Sequence, residues 1–167
     1  YGIITIHRPS NVDQKKILEP FIRFILDEVV VDRTIIWTMH PRTQKQLENF
    51  TLWEEILKKE QLILLHPLGY HEMLKLNMDA KIMLTDSGGL QEECTILGTP
   101  CLTLRWSTER PITLKENGGV SVLVGNNVNR IRREYIKILK QNTEIVIPEL
   151  WDGNTASRCL EAILNYE

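Results

Sequence analysis

Short, largely apolar runs alternate along the chain with longer runs in which apolar residues recur every three or four positions. The short runs, Gly2 to Ile6, Arg33 to Met39, Leu62 to Leu65, Lys81 to Thr85, Cys101 to Leu104 and Ser121 to Val124, predict strands. The longer runs predict helices. Ile17, Leu18, Phe21, Ile22, Ile25 and Val29 mark one helix face, in which Pro20 is expected either to make a kink or to open the main segment. Thr43 to Asn49, Leu52 to Lys58 and Tyr70 to Met78 follow. Leu90, Cys94 and Leu97 line a helix that Gly98-Thr99-Pro100 stops. Val128, Ile131, Tyr135, Ile138 and Leu139 mark the next, and after a break at Ile147-Pro148 the face formed by Ala156, Cys159, Leu160, Ile163 and Leu164 marks the last.

Strands apolar along their whole length and separated by helices imply a parallel sheet covered on both faces. The expected class is therefore α/β, a doubly wound parallel sheet of Rossmann type. In such a sheet ligands bind beyond the carboxyl ends of the strands, so the residues that follow each strand carry the functional argument. These are His7-Arg8-Pro9-Ser10-Asn11, His40-Pro41-Arg42, His66-Pro67, Asp86-Ser87-Gly88-Gly89 and Arg105 to Arg110.

Composition narrows this further. With 167 residues, 43% hydrophobic and 25% charged, the chain can form one globular domain without disulfides or metal. A net charge of -2 and the spread of basic residues argue against nucleic acid; the cluster Arg130, Arg132, Arg133, Lys137 and Lys140 reads as a solvated helix face. Cys94, Cys101 and Cys159 have apolar neighbours and no metal-ligand spacing, which suits packed thiols in a reduced, cytoplasmic setting. No apolar run reaches the roughly 20 residues of a membrane span, and no signal-peptide pattern opens the chain.

The step Ser87-Gly88-Gly89 has two readings. Glycines let a ligand approach closely, and the free amides at a helix start suit a phosphate; alternatively it is a tight turn with Asp86 or Ser87 as the helix cap. Glu93 lies roughly 9 Å further along the helix, the reach from a nucleotide's diphosphate to its ribose hydroxyls. Glu92, about 100° round the helix, has no evident task. Arg110 offers paired hydrogen bonds to a phosphate or, alternatively, an ion pair with Glu109. His7 serves proton transfer, phosphate contact or local structure, and Asn117-Gly118-Gly119 is a second candidate for close backbone approach to a ligand.

The segments TIHRPSN, HPRT, LGY, LTDSGGLQEE, LGTPCLTLR, STERP, LVG and WDGNTASR occur in the order and spacing of one family. Over nearly its whole length the chain resembles the carboxyl-terminal half of the non-hydrolysing UDP-N-acetylglucosamine 2-epimerases. The resemblance implies one half of a two-domain architecture like that of B-type glycosyltransferases, with residues 1–167 forming the UDP-binding domain and the amino-terminal domain absent, as the abrupt start at Tyr1 also suggests. It implies interconversion of UDP-N-acetylglucosamine and UDP-N-acetylmannosamine by UDP elimination and re-addition, without metal or redox cofactor, in a protein that is a homodimer at full length. Carried over by position, Ser87, Gly88 and Gly89 meet the diphosphate, Glu93 the ribose and Arg110 the nucleotide. His7 is implicated in catalysis, Arg8 and Asn11 belong to its motif, and His40 lies near the cleft. The family's principal catalytic carboxylates belong to the other domain, so this piece alone is expected to bind UDP weakly and not to turn over. Met73 departs from the family, many members of which place an aromatic residue there. A UDP-sugar glycosyltransferase, a hydrolysing 2-epimerase and a non-catalytic nucleotide-sugar sensor are the alternatives.

Overall fold

A computed structural model describes residues 1–140 and 147–166. The chain starts with β1 (Gly2–Thr5), the single turn α1 (Pro9–Val12) and α2 (Lys15–Phe24). Pro20 neither opens nor ends α2; the helix continues past it into a π turn at Ile25–Val29 and the short α3 (Val30–Asp32). Proline removes only one backbone donor here, and Leu18, Phe21, Ile22 and Phe24 are buried on either side of it, so packing outweighs the local penalty.

There follow β2 (Ile35–Thr38), α4 (Pro41–Asn49), α5 (Trp53–Leu57), β3 (Leu62–Leu65), α6 (Tyr70–Asp79) and β4 (Ile82–Thr85). Next are α7 (Gly88–Leu97), β5 (Cys101–Thr103), β6 (Ser121–Leu123), α8 (Val128–Leu139) and α9 (Thr155–Leu164). Gly98 closes α7 in the left-handed region at φ 73°, as its place before Thr99-Pro100 predicts.

All pairings are parallel, and the strand order is β3-β2-β1-β4-β5-β6. This is the doubly wound Rossmann order, with the chain reversing direction across the sheet between β1 and β4. Alternate residues feed opposite faces. Ile4, Leu84 and Leu102 join the larger core beneath α2 and α8, while Ile3, Met83 and Cys101 join Cys94 and Ala80 in a smaller core on the other face. Burial on both faces is why these strands read as unbroken apolar runs.

Two expectations about packing do not hold. The helix α9 forms, but none of its residues is buried, and Leu160, Ile163 and Leu164 are exposed. Cys159, on that helix, is likewise exposed, whereas Cys94 and Cys101 are buried thiols. Among the described residues no helix is long and apolar enough to cross a membrane.

Candidate functional site

The reversal point brings the carboxyl ends of β1 and β4 side by side, Thr5 pairing with Thr85. The loop after β1 and the turn after β4 therefore meet. Asp86, in that turn, is fully buried and accepts from the His7 amide (3.0 Å to Oδ2), the Arg8 amide (2.9 Å) and Asn11 Nδ2 (2.9 Å). His7 Nδ1 lies 2.9 Å from its other oxygen. Arg8 Nε donates to the Asp86 carbonyl (2.8 Å), and Asn11 Nδ2 also reaches the carbonyl of Leu104 (3.0 Å). His7, Arg8 and Asn11 are thus gathered as expected, but around a residue that sequence reasoning treats only as a possible helix cap. The bond from Asp86 raises the His7 pKa, and its charge adds to this, while burial and Arg8 oppose. Burial pushes the Asp86 carboxyl up, yet the bonds from His7, Arg8 and Asn11 carry it below the ordinary value.

One residue on, Ser87 occupies the cap position of α7 without a side-chain cap bond, and its own amide donates to Thr85 Oγ1 (3.0 Å). Gly88 and Gly89 open the helix, so their amides have no intrahelical carbonyl to meet. A methyl group at Gly88 would stand 2.5 Å from Arg110 Nη1, so the guanidinium rests directly against that glycine; around Gly89 nothing lies within 4 Å of such a methyl. Arg110 reaches there because Glu92 holds its Nε at 3.0 Å and Glu109 its Nη1 at 2.7 Å. Glu109 is gripped by Arg105 (2.6 Å), chiefly through which its pKa falls to about 2. The ion pair foreseen as the alternative for Arg110 is present, and it presents the guanidinium at the helix start. Glu92 has a partner after all.

The loop and the helix are also joined below this point. Buried Gln91 donates to the Ser87 carbonyl (3.3 Å) and accepts from Thr108 Oγ1 (2.9 Å), while Thr108 Oγ1 accepts from the Arg110 amide (3.1 Å).

Glu93 is partly buried, and its Oε2 is covered without a hydrogen-bond partner among the described residues. Burial, followed by the charge of Glu92, raises its pKa. It lines an open hollow of about 480 Å³ with Tyr70, Leu74, Ile96 and Trp151. His40 caps α4, accepting from the Arg42 amide through Nδ1 (3.1 Å), and its ring centroid is 5.3 Å from that of His7. It borders a second hollow of about 180 Å³ with Thr5, Thr38, Met73 and Leu90, which places Met73 at the same edge.

Gly119 has an internal use, since a methyl there would fall 2.1 Å from the Thr113 carbonyl oxygen. Sequence reasoning also passes over Trp106, which is 62% exposed in the loop after β5. It lies over Gly125, where φ is 62°, and donates to Asn126 Oδ1 (3.2 Å).

A family model described as UDP-N-acetylglucosamine 2-epimerase matches residues 1–164. The UDP-N-acetylglucosamine 2-epimerase of Methanocaldococcus jannaschii is 41% identical over 132 residues, covering 78% of this chain and 36% of that protein. The enzyme of that name from Methanococcus maripaludis is 38% identical over 156 residues, covering 93% of this chain and 42% of that protein. The solved structure of the M. jannaschii UDP-GlcNAc 2-epimerase in complex with UDP-GlcNAc and UDP superposes with a TM-score of 0.81 at 36% identity, covering 96% of this chain and 45% of that one. The chain spans less than half the length of these relatives.

Proposed function

The chain belongs to the UDP-N-acetylglucosamine 2-epimerase family, and from that premise we propose that it is the carboxyl-terminal domain of a two-domain enzyme, the half that grips UDP. The enzyme inverts carbon 2 of UDP-N-acetylglucosamine to give UDP-N-acetylmannosamine, through elimination of UDP and its return to the other face of the sugar.

The observation that carries this reading is the two-point layout of α7. At its start, Arg110 rests against Gly88 beside unpaired amides. Roughly 9 Å along the axis from Ser87, Glu93 keeps a covered oxygen with no partner among the described residues. An anion belongs at the first point, where guanidinium and helix dipole both favour negative charge. Neutral hydroxyls belong at the second, where they satisfy a carboxylate that would repel phosphate. A nucleoside diphosphate presents both groups at that separation.

In the reaction, the Gly88 and Gly89 amides and Arg110 stabilise charge on the departing diphosphate, while Glu93 holds the ribose so that the leaving oxygen stays in place for re-addition. Ser87 adds its hydroxyl, which makes no cap bond, at the same helix start. His7 stands beside this point as the proton-handling group. Arg8 and Asn11 secure its loop, and His40 stacks near it at the cleft. The catalytic carboxylates come from the amino-terminal half, so the 167 residues alone bind UDP without turnover.

The test is to follow UDP-N-acetylglucosamine with the full-length protein by NMR. UDP-N-acetylmannosamine is the expected product. Free N-acetylmannosamine with UDP would identify a hydrolysing enzyme, a glycosylated acceptor would identify a transferase, and binding without change would identify a sensor.

A further inference from the structure

We propose that Asp86 is a positioning residue that pins Nδ1 of His7, leaving Nε2 as the only ring nitrogen through which this histidine exchanges a proton. The role of that proton rests on the proposed function; the pinning itself does not.

Asp86 is fully buried, and five donor contacts from three residues converge on its two oxygens. Oδ1 lies 3.2 Å from the His7 amide and 2.9 Å from His7 Nδ1, while Oδ2 lies 3.0 Å from the His7 amide, 2.9 Å from the Arg8 amide and 2.9 Å from Asn11 Nδ2. Four of these contacts come from the His7 and Arg8 backbone amides and the Asn11 side-chain amide nitrogen, which can only donate, so together they favour the carboxylate over the carboxylic acid. Asp86 therefore stays ionised, and Nδ1 can meet it only as N–H. In neutral His7 the proton sits on Nδ1 and Nε2 carries the lone pair. When Nε2 takes a proton, the ring becomes an imidazolium beside a fixed negative charge; the proton leaves again from Nε2, and Asp86 remains ionised throughout.

The backbone reinforces this. The His7 amide donates to the same carboxylate as its ring, so main chain and side chain are aimed by one group. The His7 side chain remains 39% exposed. Among the described residues, the charged or titratable groups around the ring are Asp86 from the turn after β4, Arg8 in its own loop and His40 at the end of β2. Arg8 disfavours the imidazolium, and the bond to Asp86 outweighs it.

The Asp86 carboxylate also ties His7 to the helix start. Ser87, the residue at the cap of α7, follows it directly.

The experiment is long-range 1H–15N correlation of the His7 ring across a pH titration of the 15N-labelled chain. The expected neutral form is protonated on Nδ1, with Nε2 gaining the proton at a midpoint above 6.5. A neutral form protonated on Nε2, or a midpoint at or below that value, would overturn the proposal. In Asp86→Asn the midpoint should fall, because the bond and charge that raise it are lost, and an unchanged His7 titration in the folded variant would equally overturn the proposal. Should that variant not fold, the tautomer of the unaltered chain still decides.

Adding UDP tests the underlying reading separately. Bound UDP should move the His7 Nε2 resonance and raise the midpoint further; UDP binding that leaves both unchanged sinks the placement of the diphosphate near His7 and leaves the pinning intact.

Discussion

Replacing Gly88 with alanine separates the helix start's structural task from its ligand task. The added methyl would stand 2.5 Å from Arg110 Nη1 and 2.9 Å from its Cζ. Comfortable contact needs about 3.5–4 Å, so the guanidinium must withdraw by roughly 1 Å. It is held there by ion pairs to Glu92 and Glu109, both substantially exposed, and such pairs contribute only about 0.2–1 kcal/mol each. The displacement is therefore cheap for the fold, and alanine's higher helix propensity, up to ~1 kcal/mol better than glycine, offsets it. Stability should change little. Ligand binding should not be spared, because the arginine leaves the point where the phosphates sit. Losing one hydrogen bond to a charged group costs about 1.5–3 kcal/mol, which is roughly 10- to 150-fold in Kd. Isothermal titration calorimetry with UDP and with uridine, beside a urea melt, reads all three quantities. UDP affinity should fall while uridine binding and the melt hold. An unchanged UDP affinity, or an equal loss for uridine, would refute the placement of the diphosphate at Gly88. Gly89→Ala is the companion, since among the described residues the methyl meets nothing within 4 Å beyond its own stretch of helix and any loss of UDP binding there reports on the ligand's own approach.

Glu93→Gln should weaken UDP binding by about 1–3 kcal/mol and weaken 2′,3′-dideoxy-UDP far less. Because the Glu93 carboxyl is raised above 4.5 by burial, its ionised form opposes folding, so the same variant should stabilise the unliganded chain at neutral pH; chemical melts should show that gain disappearing as acid protonates the wild-type group. The pair His7 and Asp86 gives a window. Asp86 is depressed below 3.8, so its contribution is present above that value and is lost as pH falls through the folded pKa; His7 is raised above 6.5, so its contribution is present below that value and is lost as pH rises through the folded pKa. Urea midpoints should show the His7→Gln penalty largest between those two values and shrinking on either side; a penalty flat across pH would contradict the dyad. Gly125→Ala should cost about 1–3 kcal/mol, because φ is 62° and the methyl would fall 2.5 Å from the Trp106 ring; thermal melts and an altered tryptophan emission check it.

The sheet was legible because burial on both faces leaves a local mark, an apolar run, at each strand. Helix burial was not legible in the same way. The apolar stripe of α9 marks a face of a helix but carries no record of what covers it, and Leu160, Ile163 and Leu164 stand exposed. Pro20 reads as a kink or a helix start because its penalty is local, whereas Phe21 and Ile22, which outweigh it, are buried in the core. The glycines divide similarly. Gly88 and Gly89 follow a strand and open a helix, a local setting with a known use, while Gly119 is needed by the carbonyl of Thr113, which only the fold brings close. The role of Asp86 is not legible locally, since its partner His7 lies 79 positions away in sequence. A carboxyl placed directly after a buried strand at the chain reversal was the available signal. Glu92 likewise lacked a task until the loop carrying Arg110 closed over α7.

The most direct measurement of the function is made on the full-length protein with UDP-N-acetylglucosamine in deuterated water. Inversion at carbon 2 through loss and return of a proton predicts UDP-N-acetylmannosamine carrying deuterium at that carbon, with deuterium also entering the recovered substrate. A sugar nucleotide recovered without deuterium at carbon 2 would contradict it.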